Sequence, residues 1–345
     1  MDHGGCGSRA RRLSHARTLT ARQRDQPSPS SLKRPSDNSP KTRWRLSVLA
    51  VILVALAPSA AQAQLYENVG IRAQGMSGAF VAVSDDATTA WWNPAGLATG
   101  AYFSGIVERR TAQNVTGEGT LGVSFAVPSL GISYNRLRIG AKAPSGSTGT
   151  LSGDRKDQGT ISTRLPTYVL SQFGVTVGQS LGEHLVLGST LKLVQADQTR
   201  GDLDVGVMAT LGVMRLAAVV KNLGDADLTA EGLRVSPGRQ ARVGGAYFPR
   251  SLAAVSLVAA VDIDLTKTST AWGDERHVAG GVELRLKRRL GVRGGIGLNT
   301  LGDARRSFSG GASAMIRGGL YLDAQITQGE DEATKGWGFA LRAMF

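Results

Sequence analysis

The residues of this sequence that could do chemistry are few and scattered. His184 and His277 are candidates for proton transfer, but neither sits within a GxSxG, HExxH or similar spacing. A general base needs positioned partners, and none is displayed around either histidine. The acidic pairs Asp85-Asp86 and Asp262/Asp264 are candidates for a cation, yet further ligands at binding spacing are missing. The two later aspartates are instead expected to face water. The densest basic run of the second half, Arg285 to Arg293 ("RLKRRLGVR"), lacks the interleaved aromatics of a nucleic-acid surface and reads as charges at a tight turn beside anionic lipid headgroups. The sequence therefore argues against an enzyme, and no metal, cofactor or nucleic-acid partner is expected. What remains is "WWNPAGLA", Trp91 to Ala98, in a chain with few aromatics. Its side chains could serve as an active-site loop, a buried anchor or a plug.

Deciding among these requires the elements around it. Of the formal +13 charge, much lies in the first 63 residues, which hold 11 of the 40 Lys/Arg and 3 of the 27 Asp/Glu. The remainder carries only +5, so a nucleic-acid reading of the net charge loses its support. "KTRWRLSVLAVILVALAPSAAQAQ" joins a basic n-region (Lys41, Arg43, Arg45) to an apolar stretch, Leu46 to Leu56, and ends on Ala61-Gln62-Ala63. That is the arrangement of a secretory signal peptide, with cleavage expected after Ala63. The polar, Ser- and Pro-rich residues before it are expected to be disordered. The only cysteine, Cys6, falls there, so the mature chain offers no disulfide or thiol nucleophile.

Beyond Gln64 the dominant pattern is period-2 alternation. "HVAGGVELRLK" sets Val278, Val282, Leu284 and Leu286 on one face against His277, Glu283, Arg285 and Lys287 on the other. "LVLGSTLKLV" sets Leu185, Leu187, Leu191 and Leu193 against Thr190 and Lys192, and "GLYLDAQITQ" sets Leu322 and Ile326 against Asp323 and Gln325. A soluble sandwich also alternates. Three features favour a membrane barrel instead. Fourteen such segments can be drawn from residue 101 to 345. Most span about 9–11 residues, enough to cross a bilayer when tilted, and their connections alternate long and short. The last segment, "GWGFALRAMF", places Trp337, Phe339, Leu341 and Phe345 on one face and stops on the aromatic. It looks like the signal read by barrel-assembly machinery; an ordinary edge strand is the bland alternative. The expectation is all-β, a transmembrane antiparallel β-barrel of about 14 strands in the bacterial outer membrane, with lipid as its surroundings.

Residues 64–100 do not continue the strand series. Asp85 or Asp86 is expected to cap a short helical turn from Ala87 to Trp92, and Pro94 to end it by excluding helical geometry at Asn93. Ala95, Gly96 and Leu97 then lead into the first strand. Trp91 and Trp92 read either as part of an aromatic girdle at the bilayer interface or as an anchor inside the lumen; Asp85, Asp86 and Pro94 flank them too closely for a lipid-facing strand.

"GMSGAFVAVSDDATTAWWNPAGLA" resembles the N-terminal signature of the FadL-type long-chain fatty acid transporter superfamily, more closely its PorV-like and TraF-like relatives. "VVKNLG", Val219 to Gly224, resembles a second recurrent feature of the PorV-like branch. The resemblance implies a fourteen-stranded barrel whose N-terminal segment folds into the lumen as a hatch, with Asn93, Pro94 and Ala95 as its Asn-Pro-Ala element and Gly96 completing it. It also implies passage of hydrophobic or amphipathic small molecules, thought to leave sideways through the wall. The 282 residues after Ala63 are few for such a transporter, and no long apolar loop offers a capture site. The alternative is a PorV-like scaffold that attends a secreted or surface protein and transports nothing.

Overall fold

The computed structural model describes residues 69–112, 119–140, 167–224, 228–230, 233–235, 238–250, 254–270, 273–302, 305–330 and 335–345. The expected extension and signal peptide, and residues 64–68 of the expected hatch, lie outside them.

Fourteen long strands close into one antiparallel barrel. In chain order they are β1 (Ser104–Ala112), β2 (Thr120–Val127), β3 (Leu130–Gly140), β4 (Thr167–Leu181), β5 (Leu185–Gln195), β6 (Thr199–Leu211) and β7 (Met214–Lys221), then β10 (Gln240–Tyr247), β11 (Val255–Asp264), β14 (His277–Leu286), β15 (Leu290–Asn299), β16 (Arg306–Arg317), β17 (Leu320–Gly329) and β18 (Gly336–Met344). Two small hairpins, β8 (Leu228–Ala230) with β9 (Leu233–Val235) and β12 (Thr268–Thr270) with β13 (Gly273–Glu275), sit in the loops between them. Closure is made by β1 on β18, in register from Ser104↔Met344 to Ala112↔Gly336. The expected fourteen strands are thus borne out. The first begins at Ser104, three residues later than expected.

The alternation sorts the side chains as lipid would require. On the outside, Leu191 is 62% exposed and Trp337, Phe339, Leu341 and Phe345 lie open, while Lys192, Glu283, Asp323 and Arg342 on the other face are buried. A water-soluble core would invert this, since charge is costly to bury without partners. The connections at the Ser104/Met344 end are short, as in the Lys287–Arg289 and Gly318–Gly319 turns. That end is the periplasmic one by the usual asymmetry of outer-membrane barrels. At the other end one connection breaks the expected rhythm: β5 and β6 pair out to Gln195↔Thr199, leaving a tight turn where a longer loop was expected.

The lipid face makes a direct prediction. Leu191→Arg, near mid-height of β5, should cost about 2–4 kcal/mol of stability, read from urea unfolding of the barrel in lipid vesicles, even though Lys192 stands next to it. An unchanged midpoint would mean that this face does not meet hydrocarbon.

Candidate functional site

Fourteen strands enclose a lumen wider than the wall's own side chains can fill, since about eight strands already reach that limit. Residues 69–100 occupy it. The segment is short pieces rather than a long element: α1 (Ile71–Gln74), α2 (Thr89–Trp92) and a 3₁₀ helix over Pro94–Thr99. Nearly all of its residues are buried, with Phe80, Val81, Trp92 and Asn93 at 0% exposure. A helix of four residues has almost no stability of its own, so the wall must hold the segment in place.

The wall does so chiefly through charge. The Arg72 guanidinium donates to Glu283 of β14 from Nε (3.0 Å) and Nη2 (2.7 Å), and from Nη1 to Asp85 and, at 3.2 Å, to Asp86. Glu283 also receives Arg293 of β15 (3.2 Å) and Arg285 (2.9 Å). Arg293 continues to Asp323 of β17 (3.0 Å), which Arg342 of β18 donates to at 2.7 Å. One chain of alternating charge therefore runs from the segment across the arc of five strands from β14 to β18. Each member is matched, which is what makes a buried ionic group tolerable. Burial alone would lower the pKa of Arg72, but Asp85, Glu283 and Asp86 raise it well above its ordinary value. Burial likewise pushes the Asp85 carboxyl up, yet Arg72 and then Arg285 hold it below the usual carboxylate range.

Backbone amides complete the hold. Glu108 of β1 accepts from the Gly70 and Ile71 N–H groups at 2.6 and 2.9 Å, and Asp262 of β11 accepts from Phe80 and Val81 at 2.7 and 2.8 Å. This corrects the expectation that Asp262 faces water: it is 1% exposed and grips the segment. Asp264, the other member of that pair, accepts from Arg242 at 2.5 Å and keeps partial exposure. Such charge-assisted bonds are roughly twice as strong as neutral ones.

The residues singled out in the sequence come together here, with changed roles. Asp86 starts the turn by accepting from the Thr88 N–H (3.0 Å) and hydroxyl (2.5 Å). Asp85 caps nothing and pairs with Arg72 instead, because Thr88 at the head of α2 has no side-chain cap bond. Asn93 is extended, as the residue before proline should be, at φ −160° and ψ 108°. Its side chain then caps a second helix by accepting from Ala95 N–H (3.1 Å), and its Nδ2 donates to the Val81 carbonyl (3.0 Å). Pro94, Ala95, Gly96 and Leu97 accordingly form a 3₁₀ helix rather than the lead-in to a strand, because Pro at the first helical position costs no hydrogen bond. Trp92 lies edge-on to Phe80 at 5.9 Å and donates Nε1–H to the segment's own Val69 carbonyl (3.1 Å), not to the wall. Trp91 takes the Lys221 ammonium of β7 over its ring at 4.0 Å. Both tryptophans are therefore interior, which excludes the girdle.

Glycines in the wall let the Asn-Pro element close in. A Cβ at Gly188 of β5 would overlap the Pro94 carbonyl carbon and the Ala95 nitrogen, and one at Gly206 of β6 would overlap Asn93 Oδ1. Sequence reading missed these partners, since their only signal was glycine inside a strand, which often marks close backbone approach.

"VVKNLG" lies at the long-loop mouth, where its Lys221 reaches Trp91. Asn222 turns the chain at φ 58°; its N–H donates to Asp204 (2.8 Å) and that of Gly224 to Asp202 (2.8 Å). Lys192 ties the group together, 2.7 Å from Asp204. This motif clasps a loop and does not touch the ion chain at the other end. His184 is exposed in the β4–β5 turn, and His277 donates its backbone N–H to Asp264 at 3.1 Å.

No family model and no curated protein matches this sequence. Solved structures do. The "CymD monoaromatic hydrocarbon channel" aligns with a TM-score of 0.54 at 11% identity, over 82% of this chain and 99% of that one. The Ralstonia pickettii toluene transporter TbuX follows at 0.49, with 12% identity over 81% and 99%, and a Pseudomonas aeruginosa FadL homologue at 0.47, with 11% over 84% and 99%. The first of these shares the fold. Together with the apolar exterior and the closed wall, it decides the setting. The chain is an outer-membrane β-barrel.

Two outcomes test the hold on the segment. Gly188→Ala should displace the Asn93–Gly96 element while leaving the barrel intact, so limited proteolysis should cut within residues 69–100 although the heat-shifted gel mobility of the barrel is retained; a protected segment would show that the contact is dispensable. Because the folded Asp85 carboxyl is depressed, its contribution is present above the ordinary carboxylate range and lost as pH falls through and below it. Protease protection of the segment should thus be constant near neutral pH and weaken on acidification, and Asp85→Asn should remove part of that dependence.

Proposed function

We propose that this protein is a FadL-like outer-membrane channel in which residues 64–100 act as a hatch, passing hydrophobic or amphipathic small molecules across the membrane when the hatch shifts. The observation that carries this reading is the way the segment is attached. It is held to the wall by an ion chain and carboxylate-to-amide bonds, which water and a passing molecule can exchange, and its Asn-Pro-Ala-Gly element is folded against β5 and β6 without a covalent tie. The shared fold with a structure described as a monoaromatic hydrocarbon channel supports an apolar cargo class. Trp337, Phe339, Leu341 and Phe345 on the outer face of β18 would serve the assembly machinery that inserts the barrel.

A second reading, a PorV-like scaffold for protein secretion or surface attachment, is favoured by the wall itself. The pairs on both sides of β3 run in register without a break from Leu121↔Arg136 to Val127↔Leu130 and from Leu130↔Val177 to Gly140↔Thr167, so a sideways exit there would require strands to part.

The experiment is a planar bilayer recording of the protein lacking residues 64–100. Large ion conductance in the deletion beside a closed full-length protein is expected, and a closed deletion would sink the hatch. Uptake of toluene into vesicles carrying the full-length protein then separates the readings: saturable uptake supports transport, while none, with a large protein partner co-purifying, supports the scaffold.

A further inference from the structure

Among the described residues, the exposed cations of the short turns lie on one side of the rim. Arg250 in the β10–β11 turn, Lys287, Arg288 and Arg289 in the β14–β15 turn and Arg317 at the β16–β17 turn are all exposed. None of the five has an ion-pair partner among the described residues. The three turns are bonded into one surface: Lys287 N–H donates to the Ala254 carbonyl (2.7 Å), Met315 N–H to the Arg289 carbonyl (2.7 Å), and the Tyr321 hydroxyl to the Arg288 carbonyl (2.9 Å). Lys287 and Arg288 both hold positive φ, 50° and 55°, in doing so. The remaining short turns offer no such charge: Pro128-Ser129, Gly182-Glu183-His184 and Gly212-Val213 contain one acid and no Lys or Arg. Inside the barrel at that end, Arg72, Arg293 and Arg342 are committed to carboxylates, and Arg215 lies over the Phe248 ring.

Next to this patch the outer wall is hollowed. Across β6, β7, β10 and β11 the bulky belt gives way to small side chains, leaving an apolar groove of about 550 Å³ lined by Val207, Ala209, Leu216, Ala218, Gly245 and Val261. Ala209 and Leu216 pair two residues from the β6–β7 turn, so the groove reaches down towards the short-turn rim. Between the groove and Arg250 stands Tyr247, 43% exposed, the residue type that settles at the headgroup level.

We infer that this face is a binding site for one anionic phospholipid of the periplasmic leaflet, an acyl chain in the groove and its phosphate on the Arg250/Lys287–Arg289 surface. The groove lies in the hydrocarbon belt and the charges lie where headgroups begin, so a single amphiphile of negative charge satisfies both. A Lys or Arg close to an anionic leaflet gains from it, and lipid matched to one side of the rim would fix how the barrel sits and which side its neighbours approach. A soluble acidic protein would use the cations and leave the groove empty, and a second copy of this chain would bring five more cations against these five.

Native mass spectrometry of the detergent-purified barrel, given equal phosphatidylglycerol and phosphatidylcholine, tests the site. The wild type should retain phosphatidylglycerol in clear excess. Arg250→Gln with Lys287→Gln, Arg288→Gln and Arg289→Gln should lower that excess roughly tenfold to a hundredfold. Gly245→Leu, which has room for its side chain because the nearest atom to a Cβ there is Leu216 Cδ2 at 3.7 Å, should release lipid of either headgroup with all cations in place. Heat-shifted gel mobility confirms that each variant is a folded barrel. Equal retention of the two lipids by the wild type overturns the proposal. So does displacement of the lipid by inorganic phosphate, which would make the anion alone the ligand, and so does a dimer that disappears in Gly245→Leu without any change in bound lipid.

Discussion

Everything in this molecule follows from the closure of β1 on β18. Hydrocarbon offers no partner to a backbone N–H or C=O, so a sheet that spans it cannot keep an edge. Nine register pairs between the two strands remove that edge. Once the sheet is a cylinder, the two faces of each strand meet different solvents. Leucine and valine turn to lipid, and the residues between them have nowhere to go but inward. The inward row carries most of the wall's charge; it brings Glu283, Arg293, Asp323 and Arg342 within reach of one another and Glu108 and Asp262 within reach of what fills the centre.

What fills it is a stretch too broken to fold alone. Its two α-helices are single turns, and its apolar side chains, Phe80 and Trp92 among them, form one core with inward wall residues such as Leu137, Leu170 and Met208. The wall contributes the rest, in the form of carboxylates aimed at free amides and a ladder of charge that Arg72 completes. Removing one partner from such a ladder strands another, at a cost of about 3–5 kcal/mol. The attachment is thus strong while complete and vulnerable at a single link.

The two ends of the barrel differ in kind. At the long-loop mouth, Lys192, Asp202, Asp204 and Asn222 clasp the chain as it leaves β7, and charge is spent on loop geometry. At the short-turn end the inner charges hold residues 69–100 in the lumen, and the turn cations stand exposed. The same residue type, arginine, is paired where it points inward from a strand and exposed where it stands in a turn.

The wall was legible in the sequence because a strand's period of two is local: each residue's face depends only on its neighbours, so Leu191 against Lys192 or Leu322 against Asp323 announces inside and outside without any knowledge of the fold. Fourteen such segments could be drawn, and most ends fell within a few residues, since turn and loop residues mark them. The bend at Pro94 was legible for the same reason, proline acting on the residue before it. The partners were not. Nothing near Asp262 in the chain says that it will meet Phe80 and Val81, and nothing near Arg72 points to Glu283, 211 positions away. Asp85 and Asp86 look alike in sequence, and only the folded chain gives one to a guanidinium and the other mainly to a turn. Those pairings depend on strand order and closure, which set which inward side chains share a height in the lumen. The sequence by itself determined that there would be a polar interior; only the tertiary structure decided what each buried charge would hold.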